Sequence, residues 1–293
     1  MKTSNKVILV TGSNGFIGKE LVRTLENKGH KVVRFDRNIL YKPRILKSQI
    51  RKILPAKIFH LAAYGNHSNQ KDISKIVYCN YIATYNLLDA TKDLNIDSFI
   101  NTGSSSEYGR KRIPMKEDMH LETDTFYGAT KAGSTYLSRA FAKQFNMHIV
   151  TVRPFSVYGP GEDQKRFIPT VIKCALNEET LNLAQGVHDW IYISDFILGL
   201  LIVEKNSKTL SGQVVNIGNG IQYSNQEIVN IVQEVTKRKV NYTRIGFARS
   251  YDTIDMWKAN NSKLKSLGWK QKINIKNGIK ATVLAYEKQT SRG

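Results

Sequence analysis

The chain has 293 residues, of which 41% are hydrophobic and 10% aromatic, which allows a large buried core and excludes wholesale disorder. Its formal net charge of +20 would attract anions, but the basic residues are spread along the chain in runs of at most three. We therefore predict a solvated basic surface. Steering of an anionic substrate is the alternative, and a nucleic-acid partner is not expected.

The compartment is indicated by the cysteines and by the absence of long apolar runs. Cys79 and Cys174 match no metal-ligand spacing, so we expect two buried thiols, no metal site and a reducing compartment. The apolar stretch near the N-terminus is too short for a signal peptide, and no run approaches a membrane span. We expect a cytoplasmic protein that does not engage a membrane.

The first half of the chain alternates short apolar runs with longer helical patterns. Strands are predicted at 6–11, 31–35, 57–61, 97–102 and 148–152, and helices at 16–28, 44–54, 74–94 and 126–145. This alternation is typical of right-handed βαβ units, so we predict an α/β fold with a Rossmann-type, doubly wound parallel sheet in residues 1–153. The segment from 36 to 57 has room for a helix but hardly for another strand.

The second half of the chain lacks this regular alternation and begins with a loop-rich stretch that has prolines at 154, 160 and 169. Helices are predicted at 171–176, 194–204 and 226–236, short strands near 181–183 and 214–217, and one or two helices within 262–286. We predict that residues 154–293 form mainly a smaller, substrate-facing α/β lobe that is intertwined with the first domain.

A glycine-rich turn follows the first predicted strand and leads into the first helix. Gly12 permits the tight turn, Gly15 lets the backbone approach a pyrophosphate, and Gly18 allows the helix to pack closely on the strand. The amides at the helix N-terminus add donors and a partial positive charge. This placement predicts a dinucleotide-binding site.

The end of the second predicted strand indicates which dinucleotide is bound. Asp36 lies 18 residues beyond Gly18, where a carboxylate can accept both hydrogen bonds of the adenosine ribose and would repel a 2′-phosphate. This favours NAD. Arg37 follows directly and can bind a phosphate, so NADP is the alternative.

A tyrosine and a lysine share one face of the predicted helix 126–145. Tyr127 and Lys131 are four residues apart, which places them one turn from each other. A nearby ammonium stabilises a phenolate and lowers the pKa of the phenol, so the tyrosine can exchange a proton with a hydroxyl near neutral pH. Lys131 can also hydrogen-bond a ribose of the cofactor.

Serines follow the predicted strand 97–102, in the run Gly-Ser-Ser-Ser-Glu-Tyr-Gly at 103–109. Ligands bind at the carboxyl ends of strands in a parallel sheet, and a serine there can hold a reacting oxygen in line with the phenol. The alternative is an ordinary polar turn. The presence of Tyr127 further along the chain disfavours this alternative.

In this order the motifs resemble the extended short-chain dehydrogenase/reductase family, specifically its nucleotide-sugar epimerases, dehydratases and reductases. The resemblance covers nearly the whole chain. It also includes His-Leu-Ala-Ala at 60–63, Asn80 with 86–90, the segment 153–161 from Arg-Pro to Gly-Pro-Gly, and the tail pattern 261–264 with 267–269.

The resemblance implies roles for individual residues. Tyr127 would be the acid/base with Lys131 as its partner, and Ser104 the catalytic hydroxyl, with Ser105 as the fallback if the loop is shifted. Further cofactor contacts implied by the resemblance are Asn14, Phe16, Ile17, Leu61, Ala62, Ala63, Asn80 and Pro154.

The substrate side is less defined. The candidate contacts are Tyr64, His67, Ser104, Ser105, Ser156, Arg166, His188 and Arg249. His188 stands where the family usually has an arginine that touches the diphosphate, so that contact is weakened or comes from Arg166 or Arg249. A solvated loop is the alternative for Tyr64 and His67.

Several reactions fit the resemblance. The 4,6-dehydratases carry an acidic pair after the catalytic Ser/Thr, where this chain has Ser105 and Ser106, with Glu107 one place late, so dehydration is disfavoured. An NAD-dependent epimerase is favoured narrowly over an NAD(P)H-dependent 4-keto-sugar reductase. A non-catalytic, RNA-binding relative is the alternative of a different class, which the intact Tyr127/Lys131 pair disfavours.

A homodimer is also expected, because the predicted helices 74–94 and 126–145 commonly pair across a dimer in this family. The stripe Ile76, Tyr81, Tyr85 and Leu88 on the first of these helices could serve that contact or could pack against the sheet.

Overall fold

The computed structural model of the protein describes residues 6–67, 69–248 and 252–290. In this part of the chain the strands are β1 (Val7–Thr11), β2 (Lys31–Phe35), β3 (Lys57–His60), β4 (Ser98–Thr102), β5 (Ile149–Pro154), β6 (Ser156–Tyr158), β7 (Leu181–Gln185), β8 (Val187–Tyr192), β9 (Val214–Ile217), β10 (Gln222–Ser224) and β11 (Tyr242–Phe247). The helices are α1 (Phe16–Asn27), α2 (Arg37–Leu40), α3 (Pro43–Ile53), α4 (Ile73–Val77), α5 (Ala83–Thr91), α6 (Phe126–Gln144), α7 (Phe167–Asn177), α8 (Ile193–Lys205), α9 (Asn225–Thr236), α10 (Ser262–Ser266) and α11 (Ile275–Thr290). A π-helical turn (Tyr78–Ile82) joins α4 to α5, and a 3-10 turn (Ser105–Glu107) follows β4.

The central sheet is parallel, with the strand order β2-β1-β3-β4-β5-β9. Because β1 pairs with β2 on one side and β3 on the other, the direction in which strands are added reverses between β1 and β3. Thr11, which ends β1, is level with His60, which ends β3. Ligands of such sheets bind at the carboxyl ends of the strands beside this reversal. The predicted Rossmann-type parallel sheet is confirmed.

Helices cover both faces of the sheet, as a parallel sheet requires. On β1, the buried Ile8 and Val10 join the apolar cluster on one face, and the buried Leu9 joins that on the other. Helices α1 and α8 pack on the first face through residues such as Leu21 and Phe196. Helices α3, α5 and α6 pack on the second face.

The second half of the chain contributes to the central sheet and to a smaller lobe. Strand β9 completes the sheet beside β5, while β10-β8-β6 and β11-β7 form two small sheets. Helices α7, α9 and α11 enclose a separate apolar cluster that includes Ile172, Val229 and Ile279. Strands β6, β8, β10 and β11 were not predicted. Strands β6 and β10 have three residues each, which is too short to show an alternation. Among the described residues, no helix is both long and apolar enough to cross a membrane.

The predicted helix 74–94 is present, with the π-helical turn in its middle. Within the predicted stripe, Ile76 and Leu88 are buried, whereas Tyr81 and Tyr85 are 36% and 45% exposed. The stripe therefore divides into a part that packs inward and a part on the surface. Cys79, in the π-helical turn, is a buried free thiol, as is Cys174, which confirms the expectation for both cysteines.

Candidate active site

The turn between β1 and α1 is shaped by its glycines. Gly12 has a φ of +68°, which L-residues rarely adopt, and its carbonyl accepts a 3.1 Å hydrogen bond from the Gly15 nitrogen. A Cβ on Gly12 would lie 2.6 Å from the Ala62 nitrogen, and a Cβ on Gly18 would overlap the Gly12 carbonyl oxygen. Gly15 caps α1, whose first-turn amides can receive an anion. The turn therefore fits the pyrophosphate of a dinucleotide.

The other predicted residues of this turn lie close by. Asn14 is exposed on the turn, and the half-buried Phe16 and Ile17 begin α1. At the adjacent end of β2, Asp36 is exposed and accepts a 2.8 Å hydrogen bond from the Asn38 nitrogen, which caps α2. Arg37, also exposed, is the first residue of α2. The short segment between β2 and β3 thus contains two helices in place of the single one predicted.

A chain of hydrogen bonds links the ends of β1 and β3 to the start of α5. Thr11 Oγ1 lies 2.7 Å from His60 Nδ1, and His60 Nε2 lies 3.0 Å from Thr84 Oγ1. The Thr84 hydroxyl donates to the Asn80 carbonyl, so it accepts the proton of His60 Nε2. Burial, reinforced by the charge of Lys131, lowers the pKa of His60 to about 3. The ring is therefore neutral and acts as a structural link.

This link places the segment after β3 against the glycine turn. The Leu61 nitrogen donates to the Thr11 carbonyl at 3.2 Å, and the Ala62 nitrogen donates to Thr11 Oγ1 at 3.4 Å. Ala62 is buried and Ala63 is exposed. The structure thus brings these three predicted cofactor residues to the strand reversal.

Asn80 is fully buried and holds the next loop in place. Its Oδ1 accepts from the Tyr64 nitrogen at 2.9 Å, and its Nδ2 donates to the Tyr64 carbonyl and to Thr130 Oγ1. These protein partners differ from the cofactor contact that the resemblance implies. Tyr64 is half-buried, with Lys75 Nζ 4.7 Å from the centre of its ring.

The serine turn, Ser104–Glu107, lies at the carboxyl end of β4, next to β3. Ser104 and Ser105 are buried, and Ser104 Oγ accepts a 3.1 Å hydrogen bond from the Ser106 nitrogen. Glu107 in turn accepts from the Ser104 nitrogen, so the two residues form a reciprocal cap. The turn therefore has one defined backbone arrangement.

Helix α6 packs its first turn on the serine turn. Thr125 Oγ1 caps the helix by accepting from the Gly128 nitrogen at 3.0 Å. A Cβ on Gly128 would lie 2.6 Å from the Ser106 carbonyl oxygen, so only a glycine permits this contact. Tyr127 is half-buried beside it, and Lys131, one turn further, is 2% exposed. The predicted pair and the predicted serines are thus on touching elements.

Lys131 carries its charge in a buried position. Burial lowers the pKa of its ammonium to about 8, and the negative charge of Glu107 opposes this effect. The side chain is therefore mainly a cation at neutral pH and loses its proton more readily than an exposed lysine does.

Glu107 is fully buried, and protein groups surround its carboxylate. Oε1 accepts from the Ser104 nitrogen at 2.8 Å, and Oε2 accepts from Thr135 Oγ1 at 2.9 Å and Arg153 Nε at 2.8 Å. The Arg153 guanidinium also lies 4.5 Å from the centre of the Tyr108 ring. This carboxylate is therefore enclosed rather than presented to a ligand.

Two loops on the substrate side contact each other. Arg166 donates to the Asn66 carbonyl at 3.3 Å and to Glu162 Oε1 at 3.4 Å. His67 Nδ1 lies 3.7 Å from Asp163 Oδ2. The predicted substrate residues Arg166 and His67 thus join the loop after β3 to the loop after β6.

Strand β8 carries His188, whose ring is edge-on to Trp190 with centres 5.3 Å apart. The buried Asp189 beside it accepts backbone hydrogen bonds from Asn219, Gly220 and Ala259. Burial raises the pKa of Asp189 to about 7, although these donors oppose the shift. This carboxylate therefore ties β8 to two loops.

Pro154 and Ser156 lie where the chain passes from the central sheet into the smaller lobe. Pro154 ends β5 and pairs with Ile217, and the half-buried Ser156 begins β6 opposite Trp190. Arg249 lies outside the described residues.

The residues that brace the site do not stand out in the sequence. His60 and Arg153 occur there only within longer motifs, Glu107 only as an acid one place late, and Thr135 within no motif. One feature of the sequence could have revealed them. His60, Glu107 and Arg153 each stand at the end of an apolar strand or in the turn after it, where a buried polar side chain needs hydrogen-bond partners.

The meeting of a dinucleotide turn and a Tyr–Lys helix at one edge of a parallel sheet defines the class of short-chain dehydrogenases/reductases. Residues 8–218 match the model of the NAD dependent epimerase/dehydratase family, and the chain belongs to this family of NAD-dependent enzymes.

Several relatives align with this chain over most of their own length. An uncharacterized UDP-glucose epimerase of Bacillus subtilis is 30% identical over 79% of this chain and 83% of its own. A CDP-abequose synthase of Salmonella muenchen is 28% identical over 94% and 96%. The crystal structure of UDP-glucuronic acid 4-epimerase from Bacillus cereus, with UDP-glucuronic acid and NAD, is 26% identical, covers 97% and 99%, and has a TM-score of 0.86.

Proposed function

We propose that the protein is an NAD-dependent nucleotide-sugar epimerase that inverts a sugar carbon, at the 4-position, by transient oxidation of its hydroxyl. The observation that carries this proposal is the position of Tyr127 and the buried Lys131 on the helix that touches the serine turn. A phenol, an ammonium and a serine hydroxyl can then act together on one reacting oxygen of the sugar. The similarity to UDP-sugar epimerases supports the same reaction.

Each side chain has a separate task in this reaction. The hydroxyl of Ser104, or of Ser105, orients the sugar oxygen. Tyr127 takes the proton of that oxygen as the carbon is oxidised and gives it back on reduction from the opposite face. Lys131 stabilises the phenolate formed in this exchange. NAD, when bound, supplies the hydride acceptor and donor.

The residues proposed to hold NAD lie around the reversal of strand order between β1 and β3 and in the amino-terminal part of α6. They are Gly12, Asn14, Gly15, Phe16, Ile17, Gly18, Asp36, Leu61, Ala62, Ala63 and Lys131. We propose that the sugar nucleotide lies on the lobe formed mainly by residues 154–293, within reach of Ser156, Arg166 and His188. We propose separately that the protein acts in the cytoplasm.

The enclosed Glu107 supports epimerisation over dehydration. Elimination of water needs an acid or base beside the leaving hydroxyl, and both oxygens of this carboxylate are held by Ser104, Thr135 and Arg153. One observation favours a second candidate, a 4-keto-sugar reductase: this compact chain aligns nearly end to end with a protein named as the synthase of a nucleotide-linked sugar.

Cofactor retention separates the two candidates. An epimerase regenerates NAD in every cycle, so we expect near-stoichiometric NAD in the supernatant of freshly purified, acid-precipitated protein, measured by absorbance and mass spectrometry. UDP-, GDP-, CDP- and dTDP-hexoses are then screened for epimerisation. Protein that retains no nicotinamide, and that oxidises NADH or NADPH only with 4-keto-sugars, is a reductase. Protein that carries RNA and no nicotinamide would support the binding-only alternative.

We also propose that the protein is a homodimer. Tyr85 of α5 and Phe145, the residue after α6, are exposed and pack against Phe141, with ring centres 6.3 and 5.2 Å from its own. Tyr81 and Tyr136 add exposed aromatic surface on the same two-helix layer. Exposed aromatic surface of this extent favours a protein contact.

The replacement Tyr85→Glu is expected to convert the dimer to a monomer, because a charge would be buried at the contact. Light scattering measures the mass, and Tyr242→Glu, on the smaller lobe, is the matched control. A monomeric wild-type protein would contradict the proposal.

A further inference from the structure

We propose that Glu107 is a positioning residue of this active site, whose buried carboxylate locks the serine turn, helix α6 and strand β5 together and places a negative charge against the helix that bears Lys131. The inference rests on the proposed roles of Ser104, Tyr127 and Lys131. It assigns Glu107 no contact with substrate or cofactor.

The contacts of Glu107 reach each element that bears a proposed catalytic group. Oε1 holds the Ser104 backbone, while Oε2 holds Thr135, which is one helical turn beyond Lys131, and Arg153, which precedes the end of β5. A Cβ on Gly103 would overlap Glu107 Oε1, so a larger residue at this position would displace the carboxylate. Movement of this one side chain would therefore alter the distance between the serine hydroxyl and the Tyr–Lys pair.

The charge of Glu107 matters because Lys131 is buried and its ammonium needs a compensating charge. Within the described part of the chain, Glu107 and the Cys79 thiol act electrostatically on Lys131, Lys131 in turn acts on the neutral His60, and Tyr127 is one turn away on the same helix. Burial lowers the pKa of Lys131, and Glu107 is the first of the groups that raise it. Loss of the Glu107 charge would therefore lower this pKa further, so that Lys131 would lose its proton at a lower pH.

A purely structural ion pair is the competing explanation, in which Glu107 serves only to neutralise the buried Arg153. The double variant Glu107→Gln/Arg153→Met separates the two, because it removes both charges and keeps similar volumes. A cavity of about 290 Å³ beside Thr135 and Arg153 gives the replaced side chain at position 153 room to adjust. If neutralisation is the whole role, the double variant regains what Glu107→Gln loses.

The experiment compares Glu107→Gln and Glu107→Asp with Glu204→Gln. Glu204 is the matched control, because it is a largely buried, paired carboxylate at the opposite, amino-terminal end of the sheet, where it contacts Lys57 and Ser98. The protonation midpoint of Lys131 is measured by NMR of protein labelled at lysine Cε, with Lys131→Met to assign the signal. This measurement needs no substrate. Turnover, KM and the temperature of unfolding are measured on the same proteins.

We expect Glu107→Gln to lower the Lys131 midpoint and to reduce kcat by about tenfold to a hundredfold, with KM little changed. Glu107→Asp retains the charge but cannot reach all three partners, so kcat falls while the midpoint stays. Glu204→Gln changes neither. An unchanged midpoint in Glu107→Gln, or recovery of kcat in the double variant, would overturn the proposal. If wild-type protein epimerises no sugar while the midpoint still shifts, the proposed reaction fails and the electrostatic role of Glu107 stands.

Discussion

Turnover is expected to fall by at least about a hundredfold when Tyr127 is replaced by phenylalanine, because only the group that exchanges the proton is removed. Binding of NAD should stay close to that of the wild type, since the glycine turn and Lys131 are unchanged. Steady-state kinetics on the substrate found by screening gives kcat, and calorimetric titration gives the affinity for NAD.

The matched control is Tyr136→Phe. Tyr136 lies on the same helix, but its side chain is 58% exposed. Loss of its hydroxyl should leave kcat unchanged. Near-normal turnover in Tyr127→Phe would overturn the acid/base role of the phenol, and with it the mechanism proposed for the epimerase.

A second large effect is expected from Gly18→Ala. The added methyl group would overlap the Gly12 carbonyl oxygen and come within 2.8 Å of the Ser13 Cα, and both are backbone atoms that cannot rotate away. Helix α1 must therefore move off β1, at a cost of about 1–3 kcal/mol in the free energy of unfolding. The amides that would meet the pyrophosphate move with it, so the affinity for NAD should be lost.

Thermal unfolding and NAD titration test this outcome, and Gly246→Ala is the control. Gly246 has an ordinary backbone conformation, and a Cβ there would meet no atom within 4 Å. Unchanged NAD affinity in Gly18→Ala, with a lowered unfolding temperature, would show that the turn does not hold the dinucleotide.

The parts of the fold that could be predicted are those whose signal is local. The glycine spacing, the alternation of strands and helices up to residue 154 and the Tyr127/Lys131 spacing each reflect a short-range constraint, and the structure has all three. The partners of Glu107 could not be predicted in this way. Thr135 and Arg153 lie 28 and 46 residues away, and nothing in the local pattern connects them.

The smaller lobe was harder to predict because the pairing of its strands is set by distant segments. Strand β8 pairs with β6 on one side and with β10 on the other, although about 30 residues separate each pair. Strand β9 was expected within the lobe region of the chain and lies in the central sheet, where it covers the edge of β5. A strand pairs with whichever sheet edge offers unpaired backbone N–H and C=O groups, and a local sequence pattern does not indicate which edge that is.

The π-helical turn lets the helix between α4 and α5 hold one extra residue. A wider turn accommodates one extra residue, and in a regular α-helix one residue corresponds to a rotation of about 100°. The turn allows Asn80 to point inward to the Tyr64 loop while Tyr85 points to the surface and Leu88 to the core. Deletion of one residue within Tyr78–Ile82 would let this segment close as regular α-helix, because four α-helical residues rotate the chain about as far as the five residues of the wider turn. Helices α4 and α5 would keep their phase, whereas the side chains inside the turn would change the direction in which they point. The brace of Asn80 on the Tyr64 loop therefore depends on the one extra residue that the turn holds.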